Sequence, residues 1–328
     1  MTQFHRFCAT LLATLGAAVS MLASSAALAQ AYPNKPVKVI VPFAPGSATD
    51  QIGRGFAAKM SEALGQPLVV ENRPGVNGML GADLVAKAPA DGYTILFGTN
   101  STNAALKSLM KKLPYDQDTA FTPVGYMGSV ALVIAVNNDF PAKTLAELVA
   151  YAKAKPGSVT FATASTSQRI SSEMFASMAG IKMTHVPYKS GPNAMTDLIG
   201  GQVNMFTADF AVMLPQVKAG KVRALAVTSA KRSSVVPDLP TVNEAAGLKD
   251  YELIAFFAAY APAGTPRAAI TKLNEAINIA ARSDELTKRF AAMGLEIAPG
   301  TPEALGQRTA AESVKWAKAI KEAGIEQE

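Results

Sequence analysis

The chain has 328 residues, 31 lysines and arginines against 25 aspartates and glutamates, a net charge of +6, two histidines and one cysteine. A lone cysteine excludes a disulfide framework and thiolate metal sites. Basic runs stop at two residues and aromatics are few, which excludes a nucleic-acid surface.

The first segment has the signature of an export signal. Arg6 precedes the small, apolar "FCATLLATLGAAVSMLASSAALA", which ends in Ala27-Leu28-Ala29, with Ala29-Gln30-Ala31 as a second cleavage point. It is too short and alanine-rich for a membrane span. Residues 1–29 are read as a cleaved signal peptide of an exported, soluble protein, with an uncleaved anchor as the alternative. Cleavage removes Cys8 and His5 and leaves about 300 residues, enough for two medium domains.

The mature chain alternates β-rich runs with helical patterns. Strands are expected at 37–43, 68–71, 93–99, 131–137, 159–164, 183–188, 203–208 and 223–228. Several are apolar without alternation, as in central strands covered on both faces. Between the first two, Ile52, Phe56, Met60 and Leu64 recur at every fourth position and Gly65 follows as a C-cap. Thr144 and Glu147 form a capping box, and Thr265-Pro266 and Thr301-Pro302 each pair an N-cap residue with a first-turn proline. The last pair opens an amphipathic stretch over 302–323. Such alternation predicts an α/β protein with parallel sheet.

Two polar, proline-containing stretches, 111–129 and 231–252, divide the pattern, and only helices are expected after "LIAFFAAYAPAGTP". Those helices must cover a sheet made earlier. Domain 1 is therefore drawn from residues 30–129 plus 252–328, and domain 2 from 130–251, with two crossing segments and a cleft between lobes.

Enzyme signatures are missing. "GVNGMLG" has the spacing G-x-x-G-x-x-G of a close-packed loop and helix start, not a dinucleotide fingerprint. His185, the only histidine after cleavage, reads as a structural strand residue, and the carboxylates form no catalytic pair. No enzyme, metal site or cofactor is expected. The positive signal is a set of strand-end turns rich in small hydroxyl and amide residues: "PGSATD" at 45–50, Thr99-Asn100-Ser101-Thr102-Asn103, and "ATASTSQR" at 162–169. Helix capping explains part of this. Turns at the carboxyl ends of strands also expose backbone N–H groups to an anion, at the edge where open α/β sheets bind ligands.

The segments "YPNKPVKVIVPFAPGSATD", "VVENRPGVNGMLGADLVAKAPADGYTILFGT", "HVPYKSGPNAMTDLIGGQVNMF" and "PDLPTVNEAAG", in one register from Tyr32 to the C-terminus, resemble the Bug family, the TctC-type solute receptors of tripartite tricarboxylate transporters. The resemblance implies a periplasmic-binding-protein (type II-like) fold, with two α/β lobes closing on a small carboxylate, and a monomer that delivers it to membrane permease subunits. It implies ligand contacts from Gly46, Ser47, Ala48, Thr49 and Asp50, from Thr99, Asn100, Ser101 and Thr102, and from Thr163, Ser165, Thr166, Ser167, Arg169 and Asp209. Ser47 stands where the family has a second glycine, and Arg169 where many members have histidine. Arg169 is expected to meet a distal carboxylate, with Phe43 and Phe256 as apolar walls, which favours an aliphatic or aromatic dicarboxylate. Core packing accounts for both phenylalanines equally well. A periplasmic sensor, or an enzyme using His185, is the alternative reading.

Overall fold

The computed structural model describes residues 32–327, so the expected signal peptide lies outside the described residues. The fold below is that of the compact unit from Lys35 onward.

The nine strands are β1 (Val37–Val41), β2 (Leu68–Asn72), β3 (Thr94–Thr99), β4 (Phe121–Asn137), β5 (Thr160–Thr163), β6 (Thr184–Pro187), β7 (Met205–Asp209), β8 (Val222–Val227) and β9 (Ile254–Pro262). They run in the order β2-β1-β3-β9-β4-β7-β5-β6, with β8 on β4. The pairings β1–β2, β1–β3, β5–β6 and β5–β7 are parallel; all those involving β4 or β9 are antiparallel.

β4 belongs to both halves. From Phe121 to Ala131 it pairs with β9; from Leu132 onward it pairs with β7, and from Val133 with β8. Buried Thr228 ties the two crossing segments together. Its hydroxyl accepts from Leu132 N at 2.7 Å and donates to Leu253 O at 2.6 Å, and its backbone bonds Leu132 O and Leu253 N.

The helices are α1 (Ala48–Leu64), α2 (Met79–Ala86), α3 (Leu106–Leu109), α4 (Leu145–Ala154), α5 (Thr166–Ala179), α6 (Gly191–Ile199), α7 (Phe210–Lys218), α8 (Val242–Ala246), α9 (Arg267–Ala281), α10 (Asp284–Ala291) and α11 (Pro302–Glu322), with a π-helical segment at Ser101–Ala105. In α1, Ile52, Phe56 and Met60 are buried, and Gly65 closes the helix in the left-handed region, its N–H on Ser61 O. One apolar core, including Ile40, Leu96, Tyr126 and Tyr260, fills the first lobe; another, including Ile134, Phe161, Phe175 and Met205, fills the second.

Two expectations are corrected. Residues 121–129 are strand inside a stretch read as dividing the pattern, and 254–262 form β9, a strand not among the eight expected; only helices follow it, as expected. Pro123, Gly125 and Gly128 disguise the first, and the register shifts at Pro123/Gly125 and Tyr126/Gly128 accommodate them as irregularities in the ladder. The helix after Pro266 begins at Arg267, while Thr265 bonds Pro262 O instead of capping. Thr301 does cap α11.

Candidate ligand cavity between the lobes

Five strand-to-helix turns at one edge of the two sheets open on the same cavity. Ser47–Thr49 enters from β1–α1, Thr99 and Ser101 from β3 and the π-helical segment, and Ser165, Ser167 and Gln168 from β5–α5; Lys189–Gly191 enters from β6–α6, and Asp209 and Val212 from β7–α7. Phe43, Ala255 and Phe257 supply apolar wall. First-turn N–H groups have no intrahelical partner, so helix starts from both lobes present donors and positive dipole ends here.

In the first turn the side chains decide which donors face inward. Gly46, at φ +81°, lets the chain turn. Its N–H bonds Asp50 Oδ2 at 3.0 Å, and the other Asp50 oxygen takes Arg54 Nε and Asn72 Nδ2, each at 2.9 Å. The Asp50 carboxylate is thus neutralised behind the wall. Ser47 Oγ accepts from Asp50 N at 3.2 Å, so Ala48 N and Thr49 N remain for a ligand, with the Ser47 O–H as a third donor.

On the second lobe, Ser165 caps α5 and Ser190 caps α6, each accepting an N–H three residues on. Gln168 holds Ala164 N on its carbonyl at 2.7 Å and donates toward Asp209. Burial pushes the Asp209 carboxyl up to about 6, against hydrogen bonds from its own backbone and Gln168 that pull it down. Across the lobes, Ser101 Oγ and Ser167 Oγ are 2.9 Å apart, Ser167 N reaches Ser101 Oγ at 3.1 Å, and Ser167 Oγ donates to Asn100 Oδ1 at 3.1 Å. The cavity has a volume of about 40 Å³.

Of the residues expected at the site, Phe43, Ser47, Ala48, Thr49, Thr99, Ser101, Ser165, Ser167 and Asp209 line this cavity. Gly46, Asp50, Asn100, Thr102, Thr163, Thr166 and Arg169 are not among its lining residues. Asn100 Nδ2 bonds Ile254 O, Thr102 Oγ1 closes its own turn on Thr99, and Thr163 Oγ1 meets His185 Nε2 at 2.7 Å. Arg169, one turn into α5, acts on Glu173, whose carboxyl is raised by burial and lowered by that guanidinium. Among the lining residues Lys189 is the only cation. Phe257, not Phe256, faces the ligand space: alternation along β9 sends Phe256 into the core against Tyr126. The turn at Lys189–Gly191 was missed, although its signal, Ser-Gly-Pro after a strand, matches the turns that were found. His185 sits in β6 stacked on Phe161 at 5.2 Å and does not line the cavity.

Comparison with known proteins bears on the same region. The family described as "Tripartite tricarboxylate transporter family receptor" matches residues 52–325. Protein BugT of Bordetella pertussis is 36% identical over 318 residues, covering 96% of this chain and 97% of that protein. Rpa4515 of R. palustris, solved with adipate, superposes with a TM-score of 0.87 at 35% identity, covering 90% of this chain and all of the other. MatC of Rhodopseudomonas palustris, solved with malate, gives 0.84 at 32% identity, covering 88% and 100%.

Proposed function

Because the chain belongs to the Bug family of TctC-type receptors, we propose that it captures a small organic carboxylate in the periplasm and delivers it to a tripartite tricarboxylate-type permease. The observation that carries this reading is the convergence of helix starts from both lobes on one cavity. Residues 1–29 are the cleaved export signal, and the protein works as a monomer. No helix among the described residues is long and apolar enough to cross a membrane.

The geometry supports the following mode of capture. One carboxylate sits on Ala48 N, Thr49 N and the Ser47 hydroxyl, clear of the neutralised Asp50. Residues 130–251 swing as the moving domain on the Thr228-tied crossing, and closure brings Ser165, Ser167 and Asp209 against the ligand. Adipate and malate, found in the two solved relatives, each carry two carboxylates. A dicarboxylate is the ligand class for this chain, with Lys189 as the distal partner in place of Arg169. The ligand enters while the lobes stand apart. The role is binding without turnover: His185 is held by Thr163 away from the cavity.

The test is a thermal-shift screen of the mature protein against mono-, di- and tricarboxylates, since a ligand that binds the native state raises the melting temperature. A shift with dicarboxylates supports the reading; no shift with any carboxylate rejects it.

A further inference from the structure

A second hollow, of about 850 Å³, opens on the first lobe between α11 and the segment from Asn103 to Phe121. Its size is that of a small-molecule site, roughly 300–1,000 Å³. It shares no lining residue with the inter-lobe cavity, although one π-helical segment contributes to both: Ser101 lines the cavity and Asn103 the second cleft.

Two buried side-chain amides, both from lining residues, are half-satisfied. Asn103 is 2% exposed and Gln117 6%. Asn103 Oδ1 accepts from the Thr102 hydroxyl at 2.6 Å, and Gln117 Oε1 accepts from Lys107 N at 3.0 Å. Both NH2 ends are buried without a hydrogen-bond partner. Buried donors left unmade are costly and rare, so two in one cleft call for an acceptor. Lys107, Asp118 and Lys321 also line the cleft. Lys107 is ion-paired with Asp118, which leaves a net single positive charge. The remaining wall is largely apolar, with Phe121, Ile320 and Val314, the last 73% exposed on α11.

We propose that this cleft is a second ligand site, taking a small amphipathic monocarboxylate with its carboxylate on the Asn103 and Gln117 amides and its apolar body along Phe121, Val314 and Ile320. Two N–H donors and one net cation suit a single carboxylate, and the wall suits an alkyl or aryl body.

Octanoate is the probe, titrated calorimetrically into the full chain and three variants. Gln117→Glu keeps an acceptor for Lys107 N but replaces the donor with negative charge. Val314→Trp fills the cleft from an exposed position and leaves the fold intact. Val212→Trp obstructs the inter-lobe cavity. Saturable octanoate binding, weakened about tenfold or more by Gln117→Glu and by Val314→Trp and unchanged by Val212→Trp, is expected. Absence of saturable binding, retention in both cleft variants, or loss only in Val212→Trp would overturn the proposal.

Discussion

Ser101 and Ser167 meet hydroxyl to hydroxyl at 2.9 Å, one from the π-helical segment of the first lobe and one from the first turn of α5 in the second. They form a latch that exists only while the lobes are together. Ser167→Ala removes bonds to Ser101 and Asn100 and keeps the backbone bond from Ser167 N. At about 0.5–1.5 kcal/mol each, the closed state loses about 1–3 kcal/mol relative to the open one. Dicarboxylate affinity should fall about tenfold, and small-angle scattering should show a larger unliganded radius of gyration. An unchanged affinity and radius would make the pair an incidental contact.

Asp209 should impose a pH dependence. Its folded value near 6 lies above the ordinary carboxylate value of about 3.9, so the folded state holds the proton more tightly than the unfolded one. The stabilising contribution is present below about pH 4 and is lost as pH rises through about 6. Melting temperature and affinity for an ionised carboxylate should both rise as pH falls from about 7.5 to 5.5, because the protonated side chain no longer repels the ligand. Asp209→Asn should flatten both profiles. A wild-type profile already flat across that window would refute the assignment.

Lys189 and Arg169 make opposite predictions. Lys189→Gln should weaken a dicarboxylate by about 10- to 150-fold and leave its monocarboxylate analogue nearly unchanged, because an ionised hydrogen-bond partner contributes roughly 1.5–3 kcal/mol when well placed. Arg169→Ala should affect neither. Titrating both ligands against both variants decides it, and the reverse pattern would return the distal charge to Arg169.

Gly46 tests the first turn. At φ +81° any side chain strains the backbone, and a Cβ there would lie 3.6 Å from Pro192 Cγ in the other lobe. Gly46→Val combines a left-handed backbone with a β-branched side chain at a cost of about 1–3 kcal/mol, and displaces the Ala48 and Thr49 amides. Binding should be lost while circular dichroism and cooperative melting persist. Gly46→Val with normal affinity would place the anion elsewhere.

Much of this was legible because local rules and tertiary fold agree. The spacing of Ile52, Phe56 and Met60 and the left-handed Gly65 specify α1 by themselves, and eight strands are visible as apolar runs. The ninth, "IAFFAAYAP", has four alanines in nine residues, a poor strand former held in the sheet by pairing with β3 on one side and β4 on the other. The hydroxyl-rich turns pointed to the cavity, but the sequence does not say how far round a helix start a residue sits. Ser167 faces in and Arg169, two positions on, does not. Phe256 and Phe257 differ by one step of the pleat, a distinction that depends on register.

β4 runs through both halves without a break, bonded to β9 along one part and to β7 and β8 along the other. Melting of one half frees one end of a strand whose other end is held in the other half, so the two ladders are coupled through β4. Heat should therefore meet a single cooperative transition, with calorimetric and van't Hoff enthalpies in agreement, although the chain passes twice between its lobes. Dividing the protein at the crossing would yield two fragments that each expose half of one strand, so the lobes are partners in one folding unit, not modules that can be lent separately to another protein.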